Sequence, residues 1–172
     1  MSTAVTTVEI RPTRFRAPVA QQLIAAAQDE LTQRYGSGDA NPIESVQFDP
    51  PEGIFLVAWL DGNPVGCAGW RTYSHFRENG ELAEAGERGT EDVAEIKRMF
   101  VVPEARNAGV ASALLAALEN SAREAGMKRM ILETGLAQPE AMALYEKLGY
   151  SRIPNYGYYR DSADCVSYGR DL

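Results

Sequence analysis

The sequence predicts a mixed α/β fold in which helices pack on the faces of a central sheet. Segments with strand-like apolar patterns and segments with helical apolar spacing follow one another along most of the chain. Two strand-like segments flank a turn, which predicts an antiparallel hairpin within the sheet. The 172 residues are 45% apolar and show no internal repeat or linker, which is enough material for one substantial core.

The first half of the chain contains one predicted helix and three predicted strands. Apolar residues recur at helical spacing from Val19 to Leu31, and Gly36 follows the helix end. Prolines and glycines make residues 37–53 irregular chain or a short helical turn. The predicted elements are a strand over 6–11, the helix over 18–34, a strand over 54–60, a turn over 61–64 and a strand over 65–73.

The second half continues this alternation after a polar interruption. Residues 75–92 are polar and rich in glycine, with a stretch over 81–85 that can form one or two helical turns. Val110 and Leu114 begin the apolar face of one helix, and Pro139 suits the first turn of another. The predicted elements are a strand over 93–102, a helix over 109–125, a strand over 128–134, a helix over 139–148 and a last strand near 165–169.

Composition and charge exclude several classes of function. The formal net charge of −7 disfavours binding to the phosphate backbone of nucleic acids. No apolar run reaches the length of a transmembrane helix and the N-terminus lacks the pattern of a secretory signal, so we expect a cytoplasmic protein that does not bind membranes. With one histidine and two cysteines, we expect no metal site, and Cys67 and Cys165 are predicted to be buried free thiols.

The stretch RNAGVASALL, at residues 106–115, predicts an anion-binding turn. A helix N-terminus presents unpaired backbone N–H groups and a partial positive charge. A pyrophosphate reaches those groups only if the turn carries little side chain, which Gly109, Ala108 and Ala111 allow. Arg106 adds positive charge at the rim. The alternative, which the stretch alone leaves open, is a tight strand-to-helix turn that packs closely without a ligand.

The same turn fits the pattern R-x-x-G-x-A, a form of Q/R-x-x-G-x-G/A, and here the chain resembles the GNAT superfamily of N-acetyltransferases. AEIKRMFVVPEAR resembles the fourth strand of that family, KRMILETG its fifth strand, and AMALYEKLGY its second signature helix. The resemblance stays in register over about residues 93–150. It implies a mixed, mostly antiparallel central sheet whose fourth and fifth strands splay apart, leaving a slot for the pantetheine arm of acetyl-CoA.

The resemblance also implies a single N-acetyltransferase domain over residues 1–172, with its core at 7–172 and an acidic loop insertion at 75–92. The insertion contains most of the acidic excess of the chain. Two interpretations of it stay open. It is either a flap that attracts a cationic amine, such as a polyamine or a basic peptide, or a solvated loop that gives solubility.

Binding of acetyl-CoA follows from the resemblance residue by residue. The pyrophosphate is expected on the backbone of the turn, and the N–H of Val101 or Val102 is expected to donate to the acetyl carbonyl. Where the family often has a second glycine, this chain has Asn107 and Ala108. The predicted cofactor-binding residues are Val101, Val102, Arg106, Asn107, Ala108, Gly109, Val110, Ala111 and Ser112.

Two side chains are candidates for the proton transfers of acetyl transfer, in which the amine must lose a proton and the leaving thiolate must gain one. Glu95, six residues before Val101, matches the catalytic glutamate of some family members and would act through a water or with a pKa raised by burial. Tyr145 matches a tyrosine that lies beside the CoA sulfur in similar proteins, and is the candidate general acid. The alternatives are a Glu95 that pairs with Lys97 or Arg98 or merely orients substrate, and a core tyrosine whose hydroxyl bonds to a carbonyl.

The sequence therefore predicts an acetyl-CoA-dependent N-acetyltransferase that acts on the primary amine of a small molecule, which attacks the thioester directly. A protein or peptide N-acetyltransferase and a non-catalytic acyl-CoA-binding sensor stay open as alternatives. The presence of both Glu95 and Tyr145 argues against a sensor, which needs neither. A homodimer is compatible with the resemblance.

Overall fold

The computed structural model describes residues 6–73 and 92–172, which form a seven-stranded sheet with helices on its faces. The helices are α1 (Pro18–Tyr35), α2 (Val110–Glu124) and α3 (Pro139–Lys147). Short 3₁₀ turns lie at Ser45–Phe48, Pro103–Ala105 and Gly157–Tyr159. The strands are β1 (Val8–Pro12), β2 (Gly53–Leu60), β3 (Asn63–Thr72), β4 (Val93–Val101), β5 (Arg129–Gly135), β6 (Ser151–Ile153) and β7 (Cys165–Asp171).

The strands lie in the order β1-β2-β3-β4-β5-β7-β6, and only the β4–β5 pair is parallel. The prediction of a mixed, mostly antiparallel sheet with flanking helices is therefore confirmed. The hairpin turn is tighter than the predicted 61–64. Only Asp61 and Gly62 separate β2 from β3, and both have positive φ, 50° and 79°, as a two-residue type I′ turn requires.

The strands β4 and β5 diverge after a short paired stretch, which confirms the predicted splay. Residues 93–95 of β4 pair with residues 129–131 of β5, and the two strands then continue to Val101 and Gly135 without pairing to each other. A bulge in β4 interrupts its ladder with β3 between Lys97 and Phe100, where Arg98 has φ 58°. Because a bulge bends its strand, it turns the end of β4 away from its neighbour.

The two faces of the sheet carry different cores. Helix α2 covers one face, where Leu114 and Leu118 pack among Trp70, Ile96 and Leu132. Helix α1 covers the other face, which includes Leu23, Phe55, Cys67 and Phe100. Side chains alternate along a strand, so Arg71, four residues after Cys67 on β3, lies on the α1 face together with its cross-strand neighbour Glu95. The polar site described below lies on this face.

The edge strand β6 was not predicted from the sequence. It has three residues, of which Ser151 and Arg152 are exposed, and it pairs only with β7. A strand this short and exposed has no alternating apolar pattern in its sequence. It adopts the strand conformation because it pairs with β7. Residues 75–91 of the predicted acidic insertion, which include its predicted helical turns, lie outside the described residues.

Candidate active site

The N-terminus of α2 is open where the sequence predicts a phosphate. Gly109 precedes the helix in the left-handed conformation with φ 79°, and Asn107 also has a positive φ of 63°. The N–H of Ala113 donates to the carbonyl of Gly109 at 3.0 Å, so the N–H groups of Val110 and its two successors precede the first helical bond. Within the described residues no side chain caps them, and a Cβ on Gly109 would meet no atom within 4 Å. Space and donors therefore fit a phosphate group.

Arg106 has another task in the described structure. Its guanidinium pairs with Glu30 of α1, and its Nε donates to the carbonyl of Val101 at 3.0 Å. Glu30 also pairs with Arg34, which pairs in turn with Glu140 at the start of α3. Arg106 thus ties the turn to α1, and the predicted phosphate contacts depend on the backbone.

The two candidate N–H donors at the end of β4 differ in availability. The N–H of Val102 donates to the carbonyl of Val65 at 2.8 Å. The next pair in this antiparallel ladder, Val101 with Gly66, is therefore a pair whose N–H groups point away from each other. The N–H of Val101 faces the gap between β4 and β5, where a thioester carbonyl could reach it.

Tyr145 is buried on α3 among aromatic neighbours. Its ring lies 5.8 Å from that of Tyr150 and 6.1 Å from that of Tyr168, centroid to centroid. Burial raises the pKa of Tyr145 above its ordinary value without help from a neighbouring charge. No hydrogen bond contributes to this shift, and the role of the Tyr145 hydroxyl stays a prediction.

Glu95 is 1% exposed and pairs with neither Lys97 nor Arg98. Its partner is Arg71 on β3, whose Nε and terminal nitrogen both lie 3.0 Å from one carboxylate oxygen. Arg71 also donates to the side chain of Gln47 at 2.9 Å and to the carbonyl of Pro42 at 3.1 Å. Glu95 is therefore held in place by an arginine that the loop before β2 fixes in turn.

Glu133 on β5 was missed by sequence reasoning. Both of its carboxylate oxygens are buried, and within the described residues neither has a hydrogen-bond partner. Burial and, next, the charge of Glu95 raise the pKa of Glu133 to about 8. The available signal was a charged residue inside the apolar strand MILET. Glu133 lies two residues after Ile131 and therefore points to the same face of the sheet. Ile131 is the cross-strand neighbour of Glu95, so the two carboxylates share the α1 face.

Two tyrosines border the pair of carboxylates. Burial raises the pKa of Tyr73 to about 12, and the charges of Glu95 and Glu133 add to that effect. Burial, followed by the same two carboxylates, also raises the pKa of Tyr156. Gly157, with φ 68°, passes so close that a Cβ there would lie 2.9 Å from the Tyr73 hydroxyl and 3.5 Å from Glu133 Oε1. The loop between β6 and β7 therefore closes over this part of the face.

Two cations and one carboxylate continue the site along β4. The Nζ of Lys97 lies 3.2 Å from Oδ2 of Asp39, and the guanidinium of Arg98 pairs with the same oxygen. The hydroxyl of Tyr159 donates to Oδ1 of Asp39 at 3.0 Å. Burial acts to raise the pKa of Asp39, but Lys97 and Arg98 outweigh it and hold that pKa below its ordinary value.

Other kinds of site are not found in the part of the chain that the structure describes. There, no group of three or more histidine, cysteine, aspartate or glutamate side chains is arranged to hold a metal ion. The helices over the same residues are too short or too polar to cross a membrane.

Comparisons with known proteins agree with this architecture. The sequence pattern of the Acetyltransferase (GNAT) family matches residues 20–150. An IAA acetyltransferase from Azospirillum brasilense is 33% identical over 80% of this chain and 80% of its own length. An uncharacterized N-acetyltransferase, YjgM, from Escherichia coli (strain K12) is 42% identical over 80% of this chain and 75% of its own length. A crystal structure from Klebsiella pneumoniae, assigned as an acyl-CoA N-acyltransferase, superposes with a TM-score of 0.72 at 27% identity, covering 98% of this chain and 99% of its own.

Proposed function

This chain belongs to the GNAT family of acetyltransferases, and from that premise we propose that it transfers the acetyl group of acetyl-CoA to the primary amine of a small molecule. Membership makes the chain an acyltransferase that depends on acetyl-CoA. The main support for an amine as the acceptor is Glu133, whose carboxyl group is buried and has no hydrogen-bond partner among the described residues. Such a group can take the proton that an ammonium must lose before it attacks a thioester.

The open N-terminus of α2 supports the cofactor half of the proposal. The backbone N–H groups from Val110 to Ser112 would hold the pyrophosphate, and the left-handed Gly109 keeps the approach clear. Arg106, Asn107, Ala108 and Ala111 belong to the same turn by position. In the gap between β4 and β5, the N–H of Val101 would stabilise negative charge that develops on the acetyl oxygen.

Two carboxylates are candidates for the proton acceptor. Glu95 stays a candidate, but one of its carboxylate oxygens is already occupied by two nitrogens of Arg71, each at 3.0 Å. Glu133 has no such partner, and its pKa of about 8 lies near neutral pH, where a base is most effective. We favour Glu133 as the proton acceptor and Glu95 as the fixed charge that raises its pKa.

Tyr145 is the proposed partner of the leaving thiolate. Its raised pKa keeps the hydroxyl protonated at neutral pH, so it can donate a hydrogen bond as the sulfur gains charge. The tyrosine packs with the core on the α2 side of the sheet, whereas the carboxylates lie on the α1 side. A thioester in the gap would therefore have an acid on one side and a base on the other.

Contacts above the carboxylates favour a small acceptor over a protein. Asp39, in the segment after α1, bonds to the hydroxyl of Tyr159 in the loop between β6 and β7. The same hydroxyl accepts from the N–H of Ala40 at 2.6 Å. These bonds join two loops across the α1 face, which leaves less room for a polypeptide.

The test is release of free thiol from acetyl-CoA with a panel of polyamines, amino acids, aminoglycosides, arylamines and basic peptides. We expect turnover with one class of small amine, a drop in kcat of about a hundredfold in Tyr145→Phe, and an unchanged Kd for CoA. Tyr158→Phe, a change at an exposed tyrosine, is the control and should behave like wild type. Turnover with peptides alone would favour a protein acetyltransferase, and CoA binding without any turnover would favour a sensor.

A further inference from the structure

Two buried cations at the bulge of β4 share one counter-ion. Lys97 and Arg98 are each 7% exposed, and both contact Oδ2 of Asp39, whose side chain is 15% exposed. The other oxygen of Asp39 is occupied, because it accepts from the Tyr159 hydroxyl and, at 2.9 Å, from the N–H of Asn41. In the part of the chain that the structure describes, a single carboxylate oxygen therefore serves both positive groups.

Among the described residues, the charges around this cluster leave one cation in excess. In that part of the chain, Arg71 pairs with Glu95, and Glu133, whose pKa is about 8, is mostly uncharged at neutral pH, so Lys97 and Arg98 face Asp39 with two charges against one. The Nε of Arg98 is buried and, within the described residues, has no hydrogen-bond partner. Burying a charge and a donor without partners is unfavourable, so the site is incomplete as it stands and suits an anionic ligand group.

The excess charge lies close to the proposed proton acceptor without neutralising it. Lys97 is two residues from Glu95 on β4, and its charge and that of Asp39 both act on Glu133. Yet Glu133 forms no hydrogen bond with Lys97 or with any other described residue. A base and a cationic pair are therefore adjacent but separate, which matches a ligand that carries an amine beside an anion.

We propose, on the basis of the proposed function, that the acceptor is an amine that also carries a carboxylate, as an amino acid does, and that Lys97 and Arg98 bind this carboxylate while the amine lies at Glu133. The carboxylate of the acceptor supplies the second counter-ion that the cluster lacks. The Nε of Arg98 and the ammonium group of Lys97 offer hydrogen-bond donors for it. A polyamine would instead bring positive charge to a site with a positive excess, which disfavours it. The buried cluster thus selects the acceptor by charge.

The experiment compares matched acceptors that differ only at the carboxylate. Each set holds an amino acid, its carboxamide and the amine without the carboxyl group, across apolar, polar, acidic and basic side chains. Thiol release from acetyl-CoA gives kcat/KM for wild type, Lys97→Met and Lys97→Arg, with Lys147→Met as a control at an exposed lysine of α3. Lys97→Met leaves Asp39 with Arg98 as a balanced pair, and CoA binding checks that the variant is folded.

We expect wild type to prefer an amino acid over its carboxamide by about tenfold or more, the size of a charge-assisted hydrogen bond. Lys97→Met should remove this preference by raising KM for the amino acid alone, Lys97→Arg should retain much of it, and Lys147→Met should leave it unchanged. Equal use of acid and amide, or a preference for diamines, would overturn the inference and leave the proposed function standing. Absence of thiol release with every amine, while acetyl-CoA still binds, would overturn the proposed function itself.

Discussion

Glu133 illustrates how the surroundings of one side chain set its chemistry. Glu95 and Glu133 face the same side of neighbouring strands, but Arg71 pairs with Glu95 alone. Glu95 is held by this ion pair, whereas Glu133 has no hydrogen-bond partner among the described residues, and burial and the charge of Glu95 raise its pKa to about 8. In the proposed function, these two identical carboxyl groups thus have different tasks, Glu95 as a fixed charge and Glu133 as a base.

The raised pKa of Glu133 predicts a dependence of stability on pH. The folded protein binds this proton more tightly than the unfolded chain, where the pKa is near the ordinary 4.5. The free energy of unfolding contributed by Glu133 therefore falls as the pH rises from about 4.5 to about 8. We expect Glu133→Gln, relative to wild type, to gain about 2 kcal/mol or more between pH 4 and pH 9 in urea unfolding. A difference between the two proteins that stays constant over this range would contradict the raised pKa.

Sequence patterns indicated some of these residues and could not indicate their partners. The resemblance pointed to Glu95 and Tyr145, whose roles stay predictions. The partner of Glu95 is Arg71, 24 residues earlier, because the β3–β4 register places them opposite each other. Spacing along one strand suggested Lys97 or Arg98 instead, but both pair with Asp39, and Arg98 does so from within the bulge. Glu133 could be identified as a candidate only from the β4–β5 register and from the lack of hydrogen-bond partners at its carboxylate oxygens among the described residues.

At the scale of elements, α2 offers the proposed cofactor site its N-terminus, which no side chain caps among the described residues. Its N-terminus begins after a left-handed glycine, Gly109, and its C-terminus is followed by another, Gly126. The φ angle is 79° at Gly109 and 85° at Gly126, and a Cβ on either residue would meet no atom within 4 Å. Alanine at either position is thus strained by backbone conformation and not by crowding.

These two glycines provide a matched pair of variants. We expect Gly109→Ala and Gly126→Ala to lose similar stability, about 1 kcal/mol each, because both force a left-handed alanine. Only Gly109→Ala should weaken CoA binding, by about tenfold, because its Cβ occupies the proposed phosphate approach. Calorimetric titration with CoA at a temperature where both variants are folded gives the comparison. Equal Kd values for the two variants would argue against phosphate binding at this turn.

The long elements were predictable because their apolar spacing is strong, as in α2, where Val110, Leu114 and Leu118 are all buried. The short strand β6 was not, since tertiary pairing with β7 creates it. The splay of β4 and β5 was implied only by the resemblance. Its physical cause, the bulge with Arg98 at φ 58°, has no simple sequence signature, because arginine rarely adopts that conformation.

For the molecule as a whole, the splayed sheet brings three features to one gap. The open end of α2 lies after β4, and the N–H of Val101 faces the gap. Glu133 lies two residues beyond Ile131, the last residue of β5 that pairs with β4. The net charge of −7 gives no hint of the positive excess at Lys97 and Arg98. The predicted single-domain organisation and the role of the acidic insertion stay predictions.

The most direct test of the central claim is the pH dependence of kcat/KM for acetyl transfer in wild type, Glu133→Gln, Glu95→Gln and, as a control at an exposed glutamate of α2, Glu124→Gln. We predict that the wild-type rate rises with pH through an apparent pKa near 8, the value for Glu133, before a further rise near the amine's own pKa of about 10. Glu133→Gln should lose the first rise, Glu95→Gln should shift it to lower pH, and Glu124→Gln should keep it. Retention of the rise in Glu133→Gln, with its loss in Glu95→Gln, would contradict the account and return the proton to Glu95.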